Sequence, residues 1–196
     1  MSREKNKTKI RILKATWKLL EENRGGSVRM ADIAKLAGIS RQALYLHYAN
    51  RSELLIATTK FIDEEKNVNL RLEPSRTAQD GARRLDYYIE AWGNYIPEIY
   101  GVARALIAMQ DSDEAADSAW KNRMDAMRQG CEEAVKALGD DQILNTDYSQ
   151  KEATDILWTL LSVQNWEHLT LDCAWSQENY IKMTKILARR MLLSEK

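Results

Sequence analysis

A short run of residues that begins at Ser40 combines side chains able to bind base edges and phosphate groups. Ser40 is a good helix N-cap, and it predicts a helix from Arg41 to about Tyr48. If Leu44 faces a small core, successive residues turn away from that core by about 100° each. The side chains that then lie on the outward face or at its margins are Arg41, Gln42, Ala43, Tyr45, Leu46 and Ala49.

The chemistry of this outward face favours the major groove of double-stranded DNA. A glutamine such as Gln42 can pair with adenine, and an aliphatic side chain such as Leu46 can contact a thymine methyl group. Arg41 can reach a guanine or a phosphate. Tyr45 and Leu46 have a second interpretation, in which they cover the core of the same helices.

A second candidate site follows at the start of the next helix. Asn50 can cap that helix, and Glu53 can reach back in a capping-box arrangement. The amides of Arg51 and Ser52 would then point outward, beside the Arg51 side chain. A helix N-terminus with free amides and an adjacent arginine can clamp a phosphate.

The charge of the chain is segregated, although the total is zero. Residues 1–60 contain 13 Lys and Arg against 5 Asp and Glu, a net charge of +8, and residues 61–196 contain 16 against 24, a net charge of −8. A basic segment of this size is typical of phosphate binding, because neutralised phosphates release counterions. A solvated charged face is the alternative interpretation.

Helical periodicity positions these residues in a helix-turn-helix. Ile10, Leu13, Trp17 and Leu20 predict a first helix that ends at Gly25-Gly26. A second helix, with Met30, Ile33, Ala34 and Ala37 on its apolar side, ends at Gly38, where a left-handed residue is wanted. The fourth helix is predicted to run without a break from Arg51 to about Leu72.

The stretch VRMADIAKLAGISRQALYLHYANRSELL, residues 28–55, resembles the DNA-binding region of the TetR/AcrR family of transcriptional regulators. The resemblance implies that Arg41, Gln42, Ala43, Tyr45 and His47 lie on or beside the recognition helix. Tyr45 and His47 match positions that family members often use against phosphates, while His47 can instead hydrogen-bond within the head. Arg29 stands where the family commonly has a threonine, and like Arg51 it still offers a cation to phosphate.

Further helices are predicted along the acidic segment. They run from Thr77 to Tyr95, from Pro97 through Met109, from Glu114 to Leu138 and, after a capping box at Ser149 and Glu152, through Ile156–Leu171, with a last helix capped by Ser176. We therefore predict an all-α fold of about nine helices. Its three-helix head, residues 1–52, is joined by the long fourth helix to a ligand-sensing and dimerisation domain, residues 53–196.

The last two long helices carry more apolar residues than a single buried stripe needs, and in the resembled family they form a dimeric four-helix bundle. We expect a homodimer, because two heads related by a twofold axis can read the two halves of an inverted repeat. A monomer that buries these residues internally is the alternative. The predicted interface residues are Leu161, Trp166, Leu169, Met183, Leu187 and Met191.

Six Trp and seven Met are many for 196 residues, and they indicate a pocket for a small-molecule effector. Aromatic and Met side chains suit apolar, aromatic or cationic ligands, although core packing is the commoner use of such stripes. The predicted lining residues are Tyr88, Trp92, Trp120, Met124, Met127 and Trp158.

No catalytic motif supports an enzyme, since the two histidines, His47 and His168, lie in different halves and carboxylates are dispersed. We predict no cofactor, no metal site and no membrane partner, and a soluble cytoplasmic protein. The sequence predicts a regulator, a repressor that an effector releases from a palindromic DNA operator. The alternatives are a helical interaction scaffold and a DNA-binding protein that needs no ligand.

Overall fold

The computed structural model describes residues 2–22 and 28–194, and this part of the chain is helical apart from short connections. The all-α prediction is confirmed, with ten α-helices and one π-helical turn in the described residues. The helices are α1 Ser2–Glu22, α2 Met30–Leu36, α3 Arg41–Tyr45, α4 Arg51–Glu65, α5 Val68–Arg76, α6 Gly81–Met109, α7 Glu114–Asp140, α8 Gln150–Leu160, α9 Val163–Glu167 and α10 Gln177–Leu192, and the π-helical turn is His168–Asp172. No described helix is long and apolar enough to cross a membrane.

The chain divides into two compact units. Unit 1 combines the described residues up to Lys66 with Ile99–Met124, and unit 2 combines Asn67–Glu98 with the described residues from Asp125 onward. Helices α6 and α7 therefore each contribute residues to both units. The predicted boundary between residues 52 and 53 concerns function, and it stays a prediction.

Unit 1 has its core where α1, α2, α3 and α4 meet. Fully buried residues come from each helix, including Ile12, Leu20, Ile33, Leu44 and Leu54. The predicted stripe on α1 is wrong at one position, because Ile10 is exposed and Ile12 is buried instead. The predicted end of this helix at Gly25-Gly26 lies outside the described residues.

The turn between α2 and α3 has the predicted chemistry. Gly38 adopts a φ of 65°, and the amides of Gly38 and Ile39 donate to the carbonyls of Lys35 and Ala34. This is the Schellman arrangement, in which a left-handed residue satisfies the last carbonyls of a helix. Helix α3 is shorter than predicted: it ends at Tyr45, and residues 46–48 form an irregular turn closed onto the Leu44 carbonyl.

The predicted continuous helix from Arg51 to Leu72 is wrong. Helix α4 ends at Glu65, and Asn67 adopts a left-handed φ of 55° before α5 begins at Val68. Asparagine tolerates this conformation better than most residues, because its short polar side chain can hydrogen-bond locally. The helix is therefore interrupted two residues after Glu65, with no glycine or proline to signal the break.

The sequence predicts two helices in the next segment, one from Thr77 and one from Pro97. This prediction is wrong, because neither residue begins a helix and a single helix, α6, spans most of the segment. It starts at Gly81 and runs through Pro97 without a break. Proline has no amide hydrogen, so the carbonyl of Gly93, four residues earlier, lacks its usual donor. In unit 2 the Gln177 side chain donates to that carbonyl at 2.7 Å and also accepts the Trp166 indole N–H at 2.9 Å.

The C-terminal helices of unit 2 confirm two predicted caps and divide one predicted helix. Ser149 and Glu152 form a complete capping box, and Ser176 accepts a hydrogen bond from the Asn179 amide. The predicted apolar helix from Ile156 to Leu171 is interrupted at Leu161. Ser162 caps a new helix, α9, which continues into the π-helical turn.

Candidate nucleic-acid interface

Two contacts within unit 1 fix α3, one at its N-terminus and one on its inner face. At its start the Ser40 hydroxyl accepts a hydrogen bond from the Ala43 amide at 3.0 Å. In its middle Leu44 is fully buried in the core, close in sequence to the buried Tyr48. The helix is therefore fixed in rotation, and its outward side chains have a defined direction.

The outward face of α3 has the exposure expected from the sequence. Arg41 and Gln42 are exposed, Tyr45 is 41% exposed and Leu46 is 83% exposed. The Arg41 guanidinium lies 5.6 Å from the centre of the Tyr45 ring. An aliphatic side chain exposed to this degree, beside an amide and a guanidinium, is the combination that favours contact with base edges.

Two other predicted DNA-binding residues flank this helix. Arg29 precedes α2, where its side chain is exposed and makes only a loose pair with Asp32, at 3.6 Å. Ala43 is half-buried at the margin of the face. The geometry brings Arg29, Ser40, Arg41, Gln42, Ala43, Tyr45 and Leu46 together on unit 1, and their contact with DNA stays a prediction.

The Arg51 side chain is oriented differently from the predicted phosphate clamp. Its guanidinium is largely buried, donates to the Val28 carbonyl at 2.6 Å and pairs with the Asp113 carboxylate. The Arg51 and Ser52 amides have no hydrogen-bond acceptor among the described residues. The Asn50 side chain caps α4 as predicted, by accepting the Glu53 amide at 2.8 Å. A phosphate here would therefore meet the two amides, and the guanidinium only if its internal pair opened.

Asp113 is a residue that sequence reasoning missed. One of its oxygens pairs with Arg51, and the other accepts the amides of Ala115 and Ala116 at the start of α7. Partial burial acts to raise the pKa of Asp113, but the Arg51 guanidinium and the two amides outweigh it and hold that pKa below its usual value. No sequence signal links positions 51 and 113, because the pair exists only through the folding of unit 1.

His47 lies in the irregular turn directly after the exposed Leu46. It is half-buried, and its buried Nδ1 atom has no hydrogen-bond partner in the described part of the chain. Burial, and then the ammonium groups of Lys5 and Lys9, lower the pKa of His47 below its ordinary value of 6.5. The predicted internal hydrogen bond of His47 is therefore not formed at Nδ1.

The helix-turn-helix matches a family model. Residues 12–58 match the model of bacterial regulatory proteins of the TetR family, and this range includes α2, α3, the turn between them and the start of α4. The chain thus carries a TetR-family helix-turn-helix region. This confirms the resemblance that the motif from Val28 to Leu55 indicates.

Two individual proteins are similar in sequence to this chain. The nucleoid occlusion factor SlmA of Marinomonas sp. is 34% identical over 64 residues, 33% of this chain and 32% of SlmA. The chain thus matches about a third of the length of that relative. The HTH-type transcriptional regulator CymR of Pseudomonas putida is 22% identical over 155 residues, 79% of this chain and 74% of CymR.

Solved structures extend the likeness to the fold of the whole chain. NalD of Pseudomonas aeruginosa, the secondary repressor of the MexAB-OprM multidrug efflux pump, has a TM-score of 0.71 at 20% identity, and the match covers 98% of each chain. At this identity the comparison shows the fold alone.

The predicted effector-binding residues are divided between the two units. Tyr88, Trp92, Met127 and Trp158 belong to unit 2, whereas Trp120 and Met124 belong to unit 1. Two of the polar atoms are satisfied by the core of unit 2: the Tyr88 hydroxyl donates to the Met127 carbonyl at 2.7 Å, and the Trp92 indole donates to the Leu161 carbonyl at 2.8 Å. Their role toward a ligand stays a prediction.

The predicted interface residues separate into core and surface. Leu161 and Trp166 are buried inside unit 2, so they present no apolar surface to a second copy. Leu187 and Met191 of α10 are each 37% exposed, and Met183 and Leu169 are half-buried. Among the six predicted interface residues, the two most exposed are therefore Leu187 and Met191 of α10.

Unit 2 also has an open groove of about 720 Å³ between α6 and the other face of α10. Seven of its nine lining residues have charged or amide side chains, and two ion pairs lie along it, Lys185 with Glu90 and Arg189 with Asp86. Within the described residues, no group of three or more His, Cys, Asp or Glu side chains is arranged to hold a metal ion.

Proposed function

We propose that this chain is a sequence-specific DNA-binding transcriptional regulator that uses the outward face of α3 in the major groove. The observation that carries the proposal is the exposure of Leu46 beside Gln42 and Arg41, on a helix whose rotation is fixed by Leu44 and Ser40. Exposed apolar area is costly in water, and contact with a thymine methyl group would bury it.

The phosphate contacts of this interface come from several elements. The amides at the start of α4 point to where a backbone phosphate can approach, and the positive end of the helix dipole adds to their attraction. Arg29 offers an exposed cation at the start of α2. These groups position α3 in the groove, while the base choice comes from α3 itself.

The regulator acts as a homodimer on an inverted repeat. A single five-residue helix contacts too few bases to specify a site, whereas two heads read two half-sites at a fixed spacing. The exposed apolar side chains of α10, Leu187 and Met191, supply surface for such a dimer. NalD is a repressor, and repression is the mode of action that we infer here.

Release by a small apolar or aromatic effector completes the proposed function. An effector can shift the protein toward a form with weak operator affinity only if it binds that form more tightly. Trp158 is a candidate contact, because its buried indole N–H has no acceptor in the described part of the chain. We infer no catalytic step for this protein.

Selection of bound sequences from random double-stranded DNA tests the proposal. We expect the purified protein to enrich an inverted repeat, and we expect Gln42→Ala to relax base choice at one position in each half-site while other positions keep their preference. Lys35→Ala, an exposed change on α2, serves as the matched control with unchanged base choice. Enrichment of no sequence by the wild-type protein would contradict the proposed function.

A further inference from the structure

The side of α1 that faces the core of unit 1 changes character toward its N-terminus. Ile12, Thr16 and Leu20 are fully buried on that side. At about 100° per residue, Lys9 and Lys5 lie on the same side of the helix, about one turn and about two turns before Ile12. Both lysines are exposed, so the first turns of α1 extend past the apolar core and carry ammonium groups where apolar residues would otherwise stand.

These ammonium groups lie beside the end of the recognition helix. The Lys9 ammonium is 5.8 Å from the centre of the Tyr48 ring. Both Lys5 and Lys9 are close enough to His47 for their charges to lower its pKa, in addition to the larger effect of burial. Two lysines of α1 and the histidine that follows Leu46 therefore form one cluster, the α1 basic cluster.

Among the described residues, no carboxylate pairs with a member of the α1 basic cluster. Lys5, Lys9 and His47 form no ion pair within the described residues, whereas Lys14 and Lys18, on the other side of α1, pair with Glu65 and Glu22. Of the other groups nearby, Tyr48 is buried, and burial and the Glu53 carboxylate raise its pKa.

Glu53 itself belongs to α4 and accepts the Ala49 amide at 2.8 Å. It therefore caps the chain before α4, and the charges that perturb His47 are both positive. Gathered positive charges of this kind are stabilised by an anion.

Resting on the proposed function, we propose that Lys5, Lys9 and His47 together bind the phosphate backbone of the operator, so that α1 belongs to the DNA interface. His47 directly follows Leu46 in the chain, and Lys9 lies over the ring of the next residue, Tyr48, so the phosphates in reach are those beside the bases that α3 reads. Neither the sequence motif nor the outward face of α3 includes Lys5 or Lys9.

Proton uptake by His47 is a consequence of this arrangement. In the free protein its pKa is lowered, so the imidazole is neutral near pH 7. A bound phosphate opposes the lysine charges and favours the imidazolium. Operator affinity should therefore rise as the pH falls through the pKa of His47 in the complex, and level off below its lower pKa in the free protein.

The salt dependence of operator binding tests the lysines. We compare Lys5→Gln/Lys9→Gln with Lys7→Gln/Lys18→Gln, which removes the same charge from the opposite side of the same helix. We expect the first pair to weaken binding to the selected operator and to reduce the slope of log K against log salt concentration by about two. The second pair should change the slope by much less. Equal slopes for the two variants would overturn the proposal.

Nuclear magnetic resonance titration tests the histidine, because the chain has only two, His47 and His168, and a His168→Gln variant assigns the signals. We expect the operator to raise the His47 pKa, and Lys5→Gln/Lys9→Gln to raise it in the free protein. In binding assays from about pH 8 to about pH 5.5, the affinity of the wild type should rise and that of His47→Gln should stay nearly constant.

The outcomes separate this inference from the proposed function. If the wild-type protein enriches no DNA sequence, the proposed function fails. If it enriches an operator but His47 titrates identically with and without that DNA, only the role of the α1 basic cluster fails. A shift of His47 by inorganic phosphate as large as the shift by the operator would show a general anion site and overturn the assignment to DNA.

Discussion

The side chains around α3 divide between those that hold the helix and those that face outward. Ser40 and Leu44 hold it, the first by accepting the Ala43 amide and the second by filling the core. Gln42 and Leu46 face outward. Arg51 does not face outward in this structure, because its guanidinium is engaged by the Val28 carbonyl and Asp113.

The pair of Arg51 and Asp113 leads to a prediction about stability. Their side chains are only 18% and 16% exposed, so removing one charge leaves the other poorly solvated. We expect Asp113→Asn to lower the free energy of unfolding by about 1–3 kcal/mol, while it keeps a cap for α7. Asp117→Asn, in the exposed pair with Lys121, should cost less than about 0.5 kcal/mol.

Chemical denaturation at several pH values measures this effect. Because the pKa of Asp113 is lower in the folded protein than in the unfolded chain, its stabilisation is present above its ordinary pKa of 3.8 and is lost as the pH falls through the lowered value. The difference between wild type and Asp113→Asn should shrink accordingly below about pH 4. A difference that stays constant into strong acid would contradict the assigned pair.

At the scale of elements, continuity of the helices depends on partners far along the chain. Helix α6 passes through Pro97 because Gln177 of α10 donates to the Gly93 carbonyl that the proline leaves free. Helix α4 ends before Asn67, which carries the left-handed conformation at the start of α5. Local propensity instead predicts a helix boundary at Pro97 and a continuous helix through Asn67.

A double-mutant cycle tests the link between Gln177 and Pro97. We expect Gln177→Ala to destabilise the protein by about 1–3 kcal/mol, because the Gly93 carbonyl and the Trp166 indole both lose a partner. In the Pro97→Ala background residue 97 regains an amide that can donate to the Gly93 carbonyl, so the same change should cost less. Equal costs in the two backgrounds, by thermal or chemical unfolding, would show that Gln177 does not compensate the proline.

At the scale of the whole molecule, the proposed homodimer depends on an apolar strip at the surface of α10. Tyr180, Thr184, Ala188 and Leu192 form the buried side of α10, and Leu187 and Met191 lie beside it at the surface. A helix that buries one stripe in its own unit and exposes a second apolar stripe has surface suited to a second copy.

We expect Leu187→Ser/Met191→Ser to shift the protein from dimer toward a 22.6 kDa monomer and to weaken operator binding, since two linked half-site contacts become separate ones. Glu178→Ser/Lys182→Ser, two exposed changes on the groove side of α10, are the matched control. Sedimentation equilibrium measures the mass of each variant. If Leu187→Ser/Met191→Ser remains as dimeric as the control variant, the dimer interface lies elsewhere.

The sequence by itself determined the features that depend on neighbouring residues. The caps at Ser40, Asn50, Ser149 and Ser176, the left-handed Gly38 and the outward face of α3 each need only a few adjacent positions, and all are present in the structure. The all-α class follows for the same reason, because helical periodicity repeats within each segment.

Only the tertiary structure decided the features that join distant positions. The inward orientation of Arg51, the passage of α6 through Pro97 and the burial of Leu161 and Trp166 depend on partners tens of residues away. The α1 basic cluster is of the same kind, since Lys5 and Lys9 meet His47 only after α1 packs in unit 1. Contacts of this range leave no periodic signal, because desolvation and pairing energies act in space and not along the chain.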